Sequence, residues 1–267
     1  MKKIIILIPV YNDWESLQKL LNDINENIKS FKELHFDCLV VNDASTVKQP
    51  NFVKPDFIKS LEILNMKTNK GHARCIAFGL RHVFKNKKFD NLILMDGDGE
   101  DRPVEIKDLV SKNNNFPAFS VIAKRVKRSE GFIFQFFYKM HKLLTIIFTG
   151  KNINFGHFSI LTKNDVGKIY SKASLWSSFS GTVKKNVLRF NEIESIRGTR
   201  YFDPSKMSFF NLAIHSLSII GVFKNTVFLR SVLMILILSF LNNILGIASS
   251  VFQILIVIFN LIIFVVS

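Results

Sequence analysis

Apolar and polar positions alternate in blocks along the first half of the chain. Short apolar runs at 4–10, 38–41, 61–64, 92–95 and 119–123 each end in polar or turn-forming residues. Their length and β-branched content predict strands buried on both faces, as in a parallel sheet. Between the first two, Trp14, Leu17, Leu20, Leu21, Ile24 and Ile28 recur at helical spacing. Asn12 or Asp13 is placed to cap that helix, and residues 73–83 supply a second one. Strands alternating with helices predict an α/β sheet covered by helices. Ligands of such sheets bind beyond the carboxyl ends of the strands, so the residues after each strand are the first candidates for chemistry.

The pattern changes near the end. Arg230 is the last charged residue, and 231–267 carries no formal charge. As one helix this stretch would run roughly 55 Å, against a hydrocarbon core of about 30 Å. Two shorter spans with a break near 246–250 fit better, which predicts a transmembrane hairpin over 227–267. Just before it, Met207, Phe210, Ile214 and Leu217 share one helical stripe, and Ser208, Asn211, His215 and Ser218 share another. That split predicts an amphipathic helix lying at the membrane interface over 205–226. No long Pro/Gly/Ser linker interrupts 1–204, which reads as one domain. The opening Met1-Lys2-Lys3 and its apolar run imitate a secretory signal. The run is short, contains Pro9 and lacks a small-x-small cleavage site, so it reads as the first strand.

Composition narrows the partners. The chain has 267 residues, 48% of them hydrophobic, which rules out disorder. The net charge of +15 lies entirely in 1–230. Lys224 and Arg230, beside the first span, place that flank on the cytoplasmic side. A basic chain invites a nucleic-acid reading, but no helix-turn-helix or RNA-binding signature is present. Anionic lipid head groups and phosphate-bearing substrates are the expected partners instead. Cys38 and Cys75 have neither metal-ligand nor redox spacing and read as reduced core thiols.

Three strand ends carry chemistry. The sharpest is Asp96-Gly97-Asp98-Gly99-Glu100-Asp101. Two carboxylates one residue apart repel each other and are costly to hold together without a cation. Mg²⁺ or Mn²⁺ takes such carboxylates together with substrate phosphate oxygens, and can neutralise a departing diphosphate. Pro9-Val10-Tyr11-Asn12-Asp13 and Asn42-Asp43-Ala44-Ser45 offer a ring, short acids and hydroxyls to a base and ribose. Helix capping and turn formation would explain the same residues. Asn69-Lys70-Gly71-His72-Ala73 reads as a tight turn that starts a helix with its amides facing the site.

Taken in order, Ile8 to Asp13, Val40 to Ser45, Asn69-Lys70-Gly71 and Met95 to Pro103 resemble the family 2 inverting glycosyltransferases of the GT-A fold. Within that family the resemblance is to the polyprenyl-phosphate hexose transferases, and it runs through roughly the first 210 residues. It implies that Pro9, Tyr11, Asp13, Val41 and Asp43 hold the nucleoside, with Asp96 and Gly97 beside the donor. It implies a divalent metal, Mg²⁺ or Mn²⁺, on Asp96, Asp98 and Glu100. Arg125 matches a family arginine, and Arg200 with Lys206 match a motif that faces donor or acceptor phosphate. Asp98, Arg125 and His157 are the candidate catalytic residues. His157 stands where the family often has an acid, Asn42 where it has a first Asp, and Asp203 where it has Gly.

The family resemblance, the hairpin and the cations near the expected site together favour a lipid phosphate as acceptor. A sugar hydroxyl needs a base to attack the anomeric carbon. A phosphate monoester, with a second pKa of about 6, is already a dianion near neutrality and needs only cations to position it. Lys124, Arg125, Lys127, Arg128, Arg200 and Lys206 supply them. The expected activity is inverting transfer of a hexose from a UDP- or GDP-sugar to a polyprenyl phosphate. The expected place is the cytoplasmic face of the cell (inner) membrane, in a multi-pass protein serving cell-envelope polysaccharide. Two alternatives stand: a hydroxyl acceptor with His157 or Asp101 as base, or an inactive lipid-phosphate-binding scaffold. A homo-oligomer remains open.

Overall fold

A computed structural model of the chain describes residues 1–127, 132–202 and 209–267. In chain order these form β1 (Lys2–Val10), α1 (Trp14–Ile28), β2 (Leu34–Asn42), β3 (Ile58–Asn65), α2 (His72–Asn86), β4 (Asn91–Leu94) and α3 (Ile106–Asn115). They continue with β5 (Val121–Lys127), α4 (Phe132–Thr149), β6 (Phe155–Thr162), α5 (Lys163–Ile169), α6 (Phe179–Asn186) and β7 (Asn191–Ile196). The last helices are α7 (Phe209–Gly221), α8 (Lys224–Phe240), α9 (Asn242–Leu245) and α10 (Ile247–Val266). Two compact units result. One is Met1–Ser129 with Asn154–Lys206, the other Glu130–Ile153 with Met207–Ser267. Residues 130–153, expected inside a single 1–204 domain, thus fall with the C-terminal helices.

The first unit holds a seven-stranded sheet in the order β3-β2-β1-β4-β6-β5-β7. β1 lies parallel to β2 and β4, while β6 runs antiparallel to both β4 and β5. The expected α/β sheet is therefore present and mostly parallel. Continuous apolar sequence buries β1 and β4 on both faces. β3 departs from the expectation of two buried faces. It pairs only with β2, and Lys59, Ser60 and Asn65 are exposed along this edge. Polar and charged side chains there discourage pairing with a foreign strand.

The apolar stripe of α1 is buried as its spacing predicts. Its cap is not. Asp13 occupies the N-cap position without a side-chain cap bond. Asn12 takes a left-handed backbone conformation (φ 52°) and accepts from Thr46 N (2.8 Å) and Val47 N (3.0 Å). Both side chains reach out to other loops, which removes them from capping duty.

The second unit packs α4, α7, α8 and α10 around Phe148, Ile220, Phe223, Val227, Ile256 and Ile263. Small polar groups tie α8 to α10: Asn260 Nδ2 donates to Ser231 Oγ (2.7 Å), Ser249 Oγ to Leu238 O (2.7 Å), and Gln253 Nε2 to Ser239 Oγ (2.9 Å). The break between them spans 241–246, ahead of the expected 246–250, and closes on Gly246 at φ 55°, a conformation glycine adopts without strain. Among the described helices only α10, with 20 residues, is long and apolar enough to cross a membrane alone. The 17-residue α8 reaches that length only together with α7, to which it is bent by 83°. The helices thus offer one complete span by themselves rather than the expected pair, and a multi-pass arrangement is not supported. The expected interfacial helix over 205–226 divides at 222–223 into α7 and the start of α8, and 205–208 lies outside the described residues.

Candidate active site

β4 delivers the acidic loop to the carboxyl edge of the sheet, and its two leading acids separate at once. Asp96 Oδ1 lies 2.8 Å from His72 Nε2 and 2.9 Å from His157 Nε2. His72 opens α2, while His157 comes from β6, whose Ser159 pairs with Leu94 of β4. The two imidazoles meet edge to face at 4.9 Å. Asp101 closes the group from below: its Oδ2 accepts Asp96 N (3.0 Å) and lies 3.2 Å from His157 Nε2. Arg125 of β5 approaches the other Asp101 oxygen at 3.5 Å.

Asp98 faces the opposite way. Arg200 Nη1 donates to its Oδ2, and Arg200 Nη2 reaches Asp13 Oδ2 at 3.1 Å. Glu100 is held in the same manner by Arg197. The loop bearing these arginines is laced to the acidic loop through its backbone, with Gly198 N donating to Glu100 O (2.8 Å) and Tyr201 N to Asp98 O (3.0 Å). A side chain at Gly198 would stand 2.7 Å from Gly99 O, so only glycine fits that approach. The buried Glu105 fixes the root of the loop, accepting from Ser195 Oγ (2.6 Å) and Ile196 N (3.1 Å).

Electrostatics follows this division. Burial opposes charge on Asp96, yet the positive charge of His157 and then His72 holds its carboxyl well below the usual range. Burial likewise opposes charge on His157, but Asp96 and Asp101 push it up to about 10. Burial, and then the Asp96 charge, push Asp98 up to about 6 against the pull of Arg200.

The residues fit a divalent ion. His72 Nε2, Asp96 Oδ1 and His157 Nε2 lie within 4.8 Å of one another. His157 Nε2 is buried without a well-aligned hydrogen-bond partner, although two carboxylates crowd it. One carboxylate oxygen with two imidazole nitrogens is a donor set for a first-row transition ion, Mn²⁺ included, and a poor one for Mg²⁺. His72 was not singled out as a ligand from sequence. Its signal was its place as the first helical residue after the turn at Gly71.

The other expected residues are placed as follows. Asp43 is buried and accepts from Lys70 N and Gly71 N, both at 2.8 Å. The amides expected to face the site are therefore engaged by Asp43, which shapes the turn at Gly71 (φ 87°). Asn42 bridges Asn65 Oδ1 (2.7 Å) and Ser45 N (2.9 Å). Tyr11 presents an exposed ring beyond β1, and the side chain of Val41 is buried in the core. Gly97 lies against Pro9, where an added Cβ would stand 3.2 Å from Pro9 O. Asn12, Asp13, Trp14, Val47 and Phe202 line an open groove beside these strand ends. Lys124 pairs with Glu192 at 3.3 Å. Arg128, Asp203 and Lys206, and the side chain of Lys127, lie outside the described residues. Cys38 and Cys75 are buried free thiols, as expected.

Comparison with known proteins agrees with this architecture. The family described as Glycosyl transferase family 2 matches residues 5–179. A protein of Methanocaldococcus jannaschii described as uncharacterised is 27% identical over 125 residues, or 45% of this chain and 51% of that protein. The chain therefore spans about half the length of the curated relative it matches. Among solved structures, mannosyl-3-phosphoglycerate synthase from Rubrobacter xylanophilus superposes with a TM-score of 0.59 at 12% identity, covering 83% of this chain and 72% of that one. A mannosyltransferase from Pyrobaculum calidifontis, in complex with GDP-Man and Mn²⁺, gives a TM-score of 0.54 at 16% identity, covering 83% of this chain and 63% of that one. At these identities the likeness is one of fold.

Proposed function

The chain belongs to glycosyl transferase family 2, and from that membership we propose that it moves a hexose from a UDP- or GDP-sugar, with inversion, to a polyprenyl phosphate. The observation that carries the acceptor choice is the state of the acidic loop. Asp96, Asp98, Glu100 and Asp101 are each engaged by a histidine or an arginine. A hydroxyl acceptor would need a general base poised near neutrality. His157, turned onto Asp96 (2.9 Å) and Asp101 (3.2 Å) and placed among the metal-binding residues, is not available as that base. A phosphate acceptor is already a nucleophile at neutral pH and calls for cations, which Arg125 and Arg200 can supply.

Asp96, His72 and His157 would hold Mn²⁺, with Asp98 and Glu100 as the further ligands the family resemblance implies. Bound there, the metal supplies positive charge against the leaving diphosphate. The solved complex of the Pyrobaculum calidifontis mannosyltransferase with GDP-Man and Mn²⁺ supports this pairing of donor and ion. Pro9, Tyr11, Asp13, Val41 and Asp43 would form the nucleoside side of the site. Tyr11 offers its ring to the base, while Asp43 acts through the turn it shapes. Arg200, already joining Asp13 to Asp98, is placed to exchange a carboxylate for a donor phosphate.

The apolar exterior of the second unit supports a membrane location, with the first unit at the cytoplasmic face. Membranes carrying the protein, incubated with radiolabelled UDP- and GDP-sugars and Mn²⁺, should yield an acid-labile, lipid-extractable product. Label appearing only in an acid-stable glycan or glycolipid would overturn the phosphate acceptor in favour of a hydroxyl.

A further inference from the structure

The second unit has an apolar core but also an apolar exterior, with small polar groups buried between its helices, and α4 shares that arrangement. Thr145 and Thr149 on α4 are only 2% exposed, whereas Leu143 is 57% exposed beside exposed Met140, Ile146 and Ile147. A helix facing water shows the reverse, with polar groups outward and an apolar stripe to the core. The buried threonine hydroxyls satisfy themselves within the helix; Thr145 Oγ1, for example, donates to His141 O at 2.8 Å. The same arrangement governs α8 and α10, where Ser231 and Ser249 are buried between helices while Leu233, Leu236, Ile254 and Leu261 point outward. An outward apolar surface, with the few polar groups buried and paired between helices, is what a hydrocarbon solvent selects.

Charge points to the same solvent. Among the described residues the unit carries Lys139, Lys142, Lys151, Lys224 and Arg230, and no Asp or Glu. Arg230 Nη1 donates to Ile147 O (3.0 Å), closing the C-terminal end of α4 against the second turn of α8. Lys224 sits where the end of α10 returns, 3.3 Å from Ser267 Oγ. Lysines on an apolar helix face can extend their charged ends to head groups while their stems stay in hydrocarbon.

We propose that α4 is a lipid-contacting helix lying in the interface of an anionic bilayer, with the Met140, Leu143, Ile146 and Ile147 face in the acyl boundary and Lys139 and Lys142 at the phosphates. This extends the membrane reading above and rests on it. A second copy of the chain is the less favourable occupant, because it would bring the like charges of Lys139 and Lys142 on the two faces together.

The full chain is reconstituted into phosphatidylcholine–phosphatidylglycerol vesicles as two variants, Leu143→Cys and Ile254→Cys, each labelled with an environment-sensitive fluorophore. Both native thiols are buried, so labelling is selective. Quenching is measured with lipid-borne nitroxides and with aqueous iodide. The expected result is lipid quenching and iodide protection at both positions, shallower at Leu143→Cys than at Ile254→Cys. Iodide access at Leu143→Cys, with Ile254→Cys quenched by lipid, would overturn the role of α4 and leave the membrane reading standing. Iodide access at both would sink the membrane reading itself. Protection at Leu143→Cys without lipid quenching would assign the face to a second copy. A Lys139→Gln/Lys142→Gln pair in the Leu143→Cys background should lose severalfold in lipid quenching on anionic vesicles and change little on phosphatidylcholine alone. Equal quenching on both vesicle types would overturn the head-group assignment.

Discussion

Asp96 and Asp98 stand one residue apart, yet they end in different chemical company. Asp96 meets two imidazoles held by a helix start and an interior strand, while Asp98 meets a guanidinium carried by the loop after β7. Imidazole can give up its proton and ligate a metal; guanidinium cannot. The two halves of one acidic loop are thereby suited to different work. The histidine half brings three potential ligand atoms together on a helix start, a strand and a strand end, and the arginine half ties the acidic loop to the loop after β7 and to Asp13. Like charges so close are tolerable because each has its own counter-charge.

Substitutions should split along that line. Asp96→Asn removes the oxygen both imidazoles face. Turnover with a nucleotide-sugar should fall on the order of 10³-fold, the scale of losing metal-based charge stabilisation of several kcal/mol. Steady-state transfer assays check this, and near-normal turnover would dissolve the ion half. His72→Gln and His157→Gln should each weaken Mn²⁺ binding about 10–100-fold, with activity partly restored by raising Mn²⁺. Calorimetric titration reads the affinity. Arg200→Ala should lower kcat/KM for the donor about 10–100-fold, the value of a hydrogen bond to a charged group, with Mn²⁺ affinity nearly unchanged. An equal loss of Mn²⁺ affinity would mean the two halves are one site. Glu105→Ala leaves Ile196 N and Ser195 Oγ without their buried acceptor and should cost about 1–3 kcal/mol of stability. Thermal unfolding would show it as a lowered Tm, with the metal affinity of the folded protein intact.

Strands of continuous apolar sequence, such as β1 and β4, were legible because both their faces are buried. β6 was not, because Gly156, His157 and Ser159 interrupt its apolar pattern where it serves the site. β7 escaped as well: its Asn-Glu-Ile-Glu-Ser-Ile sequence belongs to an edge strand with one face outward. Spacing made Asp96 and Asp98 visible, but spacing cannot say which way each carboxylate turns. That depends on His72 and Arg200, which lie 24 and 102 positions away in sequence. Asp13 looked like a helix cap because local rules cannot foresee an arginine arriving from the far end of the domain. The burial pattern of α4 was not legible either. The segment 132–149 was not read from the sequence as an element, and only the structure shows that Thr145 and Thr149 face in.

The most direct test of the ion site is pulsed electron paramagnetic resonance of Mn²⁺ bound with UDP or GDP. Imidazole ligation on His72 and His157 predicts nitrogen modulation from two rings in the wild-type protein, reduced to one in His72→Gln and in His157→Gln. Tightly bound Mn²⁺ with no nitrogen modulation, lost instead in Asp98→Asn, would contradict it.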